Sequence, residues 1–93
     1  MSEETPKFEF VGPPIQWHDD VLQEILIEGN RVQVQVSMEA LQDANPELTT
    51  AKSMVQFSAS RDRFMAIALR EYVQGNVADG KVLVRTEHLR RRV

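Results

Sequence analysis

The sequence predicts an α+β fold: an antiparallel sheet of about four strands, with one short and one long helix packed on one face. Three observations carry this. Alternating apolar residues flank Gly29-Asn30, a helical period runs from about residue 50 to 74, and residues 81–86 read as a last strand.

Residues 1–7 are polar and acidic and read as a flexible tail. Phe8-Glu9-Phe10-Val11 alternates apolar and acidic side chains, as a short strand does. Gly12-Pro13-Pro14 is expected to stop it, because proline removes ladder donors. Residues 15–20 then read as a connection anchored by Trp17. Residues 22–28 and 31–37 form a hairpin about Gly29-Asn30, two residues that accept positive φ. That turn pairs Glu28 with Arg31, Ile27 with Val32, Ile25 with Val34 and Gln23 with Val36. Ile25, Ile27, Val32, Val34 and Val36 then share the core face, and Glu24, Leu26, Gln33 and Gln35 the mostly polar one.

Ser37 is a natural N-cap for a short helix beginning at Met38, with Glu39 in its first turn and Asn45-Pro46 as its stop. Thr49 or Thr50 is a candidate cap for the long helix, which Gly75-Asn76 ends. On a helical wheel Met54, Phe57, Phe64, Met65, Ala68 and Tyr72 share one face, flanked by Leu69, and Lys52, Gln56, Arg63, Arg70 and Gln74 lie opposite. Asp79-Gly80 is a turn signal before the last strand. One domain thus spans residues 8–89, followed by a basic C-terminal tail at 90–93.

At 93 residues the chain is a single domain with a small core, to which dimerisation would add. It has no cysteine, so thiol chemistry and disulfides are excluded and a reducing compartment fits. No apolar run approaches the roughly 18 residues of a membrane span, and the polar start of the chain is unlike a secretory signal. The expected location is cytoplasmic. The net charge of −3 is split: residues 1–46 hold two basic and nine acidic residues, net −7, whereas residues 47–93 hold nine basic and five acidic, net +4. Mutual neutralisation of the two halves is the simplest reading.

The pattern of Trp17 with Asp19 and Asp20, Val36-Ser37 followed by Ala40-Leu41, Phe57 and Arg61, Ala68 and Tyr72, then Gly80-Lys81-Val82-Leu83-Val84 resembles a family of small bacterial proteins known as domain of unknown function 1488. The likeness spans roughly residues 10–89. It implies an antiparallel sheet with helices on one face, and no particular activity. Val34 stands where some members carry a cysteine, so no thiol-based function would carry over.

Candidate chemistry is sparse. His18-Asp19-Asp20 offers three possible metal ligands, but three consecutive loop residues are poor chelators, and a turn acid pair beside an exposed histidine is preferred. No metal site and no cofactor are expected. Ser37, Ser53, Ser58 and Ser60 fit capping or helix-surface positions, none lies in a nucleophile elbow, and the scattered glycines form no phosphate loop. No catalytic residue is assigned. Lys52, Arg63 and Arg70, with Arg90, Arg91 and Arg92 of the tail, make a candidate basic surface. Nucleic acid is nevertheless disfavoured by a pI near 5.3.

Arg61 falls among Phe57, Phe64 and Ala68 on the apolar side of the wheel. The preferred reading is a shielded ion pair with Asp19, Asp20 or Glu39. A pocket for an anion around Arg61 and Trp17 is the functional alternative. A helix break at Ser58-Ala59-Ser60 would rotate the wheel and expose Arg61 instead. The expected function is a non-enzymatic interaction or regulatory module with a protein partner, a second copy of the chain being one candidate. The alternatives are weak nucleic-acid binding through the basic half and the anionic-ligand pocket.

Overall fold

A computed structural model describes residues 7–48 and 50–87. Four strands, β1 (Phe8–Trp17), β2 (Asp20–Ile27), β3 (Asn30–Val36) and β4 (Lys81–Val84), form one sheet in the order β1-β2-β3-β4. Helices α1 (Met38–Ala44), α2 (Ser53–Ala59) and α3 (Arg61–Val73) lie between β3 and β4 in the chain, with a 3₁₀ turn at Pro46–Leu48. The α+β architecture with its helices against one sheet face is as expected. The first three strands are antiparallel, whereas β4 runs parallel to β3, pairing Val34 with Val82 and Val36 with Val84. A crossover that carries the helices returns the chain in the same direction, as a parallel pair requires.

The core face holds the residues expected of it. Val21, Ile25 and Ile27 of β2, Val32, Val34 and Val36 of β3, and Val82 and Val84 of β4 pack against Leu41, Phe57, Phe64, Met65, Ala68 and Leu69. Phe57 and Phe64 stack with ring centroids 5.9 Å apart across the junction of α2 and α3.

The hairpin register differs from the expected one. Ile27 pairs with Asn30, Ile25 with Val32, and Gln23 with Val34. The two-residue loop is Glu28-Gly29, both at positive φ (50° and 86°), as in a type I′ turn. Placing Glu28 there frees its N–H to donate to the Lys7 carbonyl at 3.2 Å, and lets the Asn30 side-chain amide donate to the Tyr72 hydroxyl at 3.2 Å. Arg31, expected opposite Glu28, instead forms an ion pair with Glu24 at 3.0 Å.

The prolines do not end β1. Val11 pairs with Glu24 and Ile15 with Leu22, so Gly12, Pro13 and Pro14 bulge out opposite Gln23 alone. β1 is an edge strand, where missing N–H donors cost no ladder bonds. Gln23 is buried on the core face, and its amide donates to the carbonyls of Gly12 (3.2 Å) and Glu24 (2.8 Å), supporting the bulge from beneath. The expected connection at residues 15–20 is therefore mostly strand. It closes as a second hairpin on His18-Asp19, with Trp17 opposite Asp20 and His18 at φ 55°.

Ser37 caps α1 as expected, its hydroxyl accepting from Ala40 N–H at 3.2 Å. The Asp20 carboxylate adds to the cap: it accepts from Met38 N–H at 2.9 Å and from the Gln35 amide at 2.7 Å. The long helix is broken. Ser60 takes φ −129° and ψ 27°, ending α2 and starting α3. Its hydroxyl turns away from the helix and donates to Asn45 Oδ1 at 2.7 Å. The Asn45 amide in turn donates to the carbonyls of Leu41 (2.8 Å) and Gln56 (3.0 Å). Lys52, and not Thr50, is the N-cap of α2; the other candidate, Thr49, lies outside the described residues. Gln56, expected on the exposed side, is buried, and its amide donates to Leu48 (2.6 Å) and Ala51 (3.1 Å) carbonyls. α3 ends in a Schellman motif: Gly75 N–H donates to Tyr72 O, Asn76 N–H to Glu71 O, and Gly75 adopts φ 85°.

Candidate interaction surface

All three helices cover the face that carries Ile25, Val34 and Val82, so among the described residues the opposite face of the sheet has no second layer. Register and alternation place its residues in rows across the strands. One row is Ile15, Leu22, Gln35 and Leu83, and the next is Val11, Glu24, Gln33 and Lys81. Trp17 and Asp20 form the row at one end, Glu9, Leu26 and Arg31 the row at the other. Ile15 and Trp17 are each 54% exposed, whereas Leu22 between its paired neighbours is only 8% exposed. An apolar centre with a charged surround is thus presented on a rigid sheet, the usual make-up of an interface core and rim.

The charges on this face are unevenly spread. Glu9, Asp20 and Glu24 come from β1 and β2, Arg31 and Lys81 from β3 and β4. Glu24 and Arg31 neutralise each other, and Asp20 is engaged at the start of α1. Glu9 and Lys81, at opposite margins, form no ion pair among the described residues.

The sequence-derived candidates do not assemble. Arg61 is exposed and forms no ion pair with any described carboxylate; its guanidinium instead lies over the Phe10 ring, 4.6 Å from the centroid. The expected shielded pair is thereby corrected. The break at Ser60 turns the first residue of α3 outward, and the cation caps an aromatic edge that the helices leave 39% exposed. Trp17 stands on the other face of the sheet, beyond the bulge, with its ring edge against His18 at 5.0 Å. Arg61 and Trp17 therefore bound no common pocket.

The basic stripe is likewise divided. Lys52 begins α2 and is exposed, Arg63 is exposed in the first turn of α3, and Arg70 is half-buried with its Nη2 cut off from solvent and without a hydrogen-bond partner. Arg90, Arg91 and Arg92 lie outside the described residues. His18, Asp19 and Asp20 do not converge on one point: Asp20 is bound to Met38 and Gln35, and the Asp19 carbonyl accepts from the Ser53 hydroxyl at 2.8 Å. Among the described residues no group of three or more His, Asp or Glu side chains could hold a metal ion.

The described residues also bound open hollows, among them these two. One of about 450 Å³ lies between the His18-Asp19 turn and the starts of α1 and α2, lined by Gln16, Asp19, Met38, Gln42, Lys52 and Gln56. The other, about 490 Å³, lies beside β4 and the end of α3, with Glu71, Val77, Leu83 and Arg85 in its lining. The first also holds Ser53, whose hydroxyl donates to the backbone carbonyl of Asp19 and not to a side-chain base. The open face with Glu24, Leu26, Gln33 and Gln35 is as expected, but Ile15 and Trp17 are additions to it, since residues 15–20 read as a connection from sequence; the alternation Ile15-Gln16-Trp17 is the available signal. No helix of the described residues is long and apolar enough to cross a membrane. No protein-family model, curated protein or solved structure matches the chain.

Proposed function

We propose that this chain is a non-enzymatic interaction module that docks a partner protein on the open face of its sheet. The observation that carries this reading is the exposure of Ile15 and Trp17 beside Leu22 on a face that no helix covers. Large apolar side chains gathered on one surface cost solubility and are retained where they meet a partner. The resemblance to domain of unknown function 1488, resting on the residues quoted for it, agrees with a bacterial protein of this kind, and the cysteine-free composition agrees with a cytoplasmic setting.

A photo-crosslinking amino acid in place of Trp17, compared with one in place of Val73 on the exposed side of α3, tests the reading in cell extract. The expected result is a saturable crosslink from position 17 alone, to a protein that the purified chain then binds and that Ile15→Glu releases. Equal labelling from both positions, or none from position 17, would refute it.

A further inference from the structure

We infer that the hollow between the His18-Asp19 turn and the starts of α1 and α2 binds a small zwitterion, with an ammonium and a carboxylate on one frame as in a free amino acid. It lies on the helix side of the sheet, since Gln16 in its lining pairs with Val21 of the core face. The site is therefore separate from the open face and independent of the docking proposed there.

The floor of the hollow calls for a donor from outside the chain. Gln56 is 3% exposed, and its amide nitrogen is committed to the Leu48 carbonyl at 2.6 Å and the Ala51 carbonyl at 3.1 Å. Its Oε1 accepts no hydrogen bond among the described residues and is not sealed from solvent, so it opens into the hollow that the residue lines. Buried acceptors normally have a partner, and here the fold supplies none.

The rim repeats this pattern. Gln16 Nε2 donates to the His18 carbonyl at 3.0 Å and the Ser53 hydroxyl to the Asp19 carbonyl at 2.8 Å, so each is left with an oxygen to offer. The Asp19 carboxylate forms no ion pair among the described residues. Acceptors in excess, with one negative charge among them, are the complement of an ammonium group and its three N–H donors. Lys52 also lines the hollow, and its ammonium forms no ion pair among the described residues, so it is the complement of a carboxylate. A phosphate would set its oxygens against those of Gln16, Asp19 and Gln56, and a simple cation would leave Lys52 opposed. A zwitterion meets both charges.

The hollow measures about 450 Å³, within the roughly 300–1,000 Å³ of small-molecule sites. Its walls are set before binding. The Ser53 bond ties α2 to the turn, and the Asp20 carboxylate ties the turn to Met38 N–H at 2.9 Å. Little ordering therefore opposes the ligand. The mouth is open and its charges are screened, so dissociation is expected at about 0.1–1 mM.

Titration of the ¹⁵N-labelled chain with each common L-amino acid, up to about 10 mM, tests this through the amide shifts of Asp19, Gln42, Ser53 and Gln56. The expected result is saturable shifts at these amides for at least one amino acid. Its N-acetyl and carboxamide derivatives, each lacking one charge, are expected to bind about tenfold more weakly. Asp19→Asn then removes the preference over the N-acetyl derivative, and Lys52→Gln the preference over the carboxamide. Both side chains are exposed, so each variant keeps the parent spectrum outside the hollow. No saturable shift up to about 10 mM, a derivative that binds as tightly as its parent amino acid, or preferences that survive both substitutions would overturn the inference.

Discussion

Replacing Asn45 tests whether the break between α2 and α3 is held by hydrogen bonds. Its side chain makes three: to the Leu41 carbonyl at 2.8 Å, to the Gln56 carbonyl at 3.0 Å, and from the Ser60 hydroxyl at 2.7 Å. The residue is 5% exposed, so water does not readily replace them. Each bond contributes about 1 kcal/mol net, and an orphaned buried partner costs about 1–3 kcal/mol. Asn45→Ala is therefore expected to destabilise by about 3 kcal/mol. A chain of 93 residues has about 5–14 kcal/mol in all. The corresponding fall in Tm is about 12–24 °C at roughly 4–8 °C per kcal/mol. Urea unfolding followed by far-ultraviolet circular dichroism measures it. Asn45→Asp separates hydrogen bonding from volume: the shape is kept and Ser60 retains its acceptor, but both donations are lost and an oxygen faces two carbonyls. It is expected to be at least as damaging as Asn45→Ala. If Asn45→Ala costs less than about 1 kcal/mol, or Asn45→Asp is tolerated, the network is not what fixes the kink.

Two further substitutions discriminate between competing structures. Glu28→Gly is expected to stabilise the protein by about 0.5–1 kcal/mol, because Glu28 sits at φ 50°, where a side chain is strained; a hairpin turning on Gly29-Asn30 would place residue 28 in a strand, and thermal unfolding would then show a loss. Arg61→Ala is expected to cost no more than about 1 kcal/mol, the worth of one exposed cation–π contact. A loss of about 3–5 kcal/mol, the range for orphaning a buried ion-pair partner, would restore the shielded pair.

The hairpin shows why a core can be legible when its register is not. Moving a two-residue turn by one position shifts every cross-strand partner by two. Ile25 exchanges Val34 for Val32 but keeps its face, since side chains alternate with period two. Burial of Ile25, Ile27, Val32, Val34 and Val36 therefore followed from alternation alone. The choice of turn depended on partners distant in sequence, namely the Lys7 carbonyl for Glu28 N–H and the Tyr72 hydroxyl for Asn30. Pro13 and Pro14 misled for a related reason: a proline stops a strand only where its N–H is needed, and only the sheet order reveals that β1 is an edge.

The candidate surface was hidden by the same dependence on assembly. Extending β1 through the bulge carries Ile15 and Trp17 onto the sheet, and confining the helices to one side leaves the face they occupy open. The first step has only the short alternation Ile15-Gln16-Trp17 as its signature, whereas the second follows from the expected packing of the helices on one face. The Ser60 break acts similarly on Arg61. A continuous helix would hold Arg61 on the line of Phe57 and Phe64, but the break reorients the chain at the residue where α3 begins. Phe57 and Phe64 still stack at 5.9 Å across the junction, while Arg61 turns outward onto Phe10. Large apolar side chains keep their place because burial on the core side rewards them. A charge at the same wheel position is free to follow the backbone to solvent, which is why the wheel located the core of this protein and misplaced its arginine.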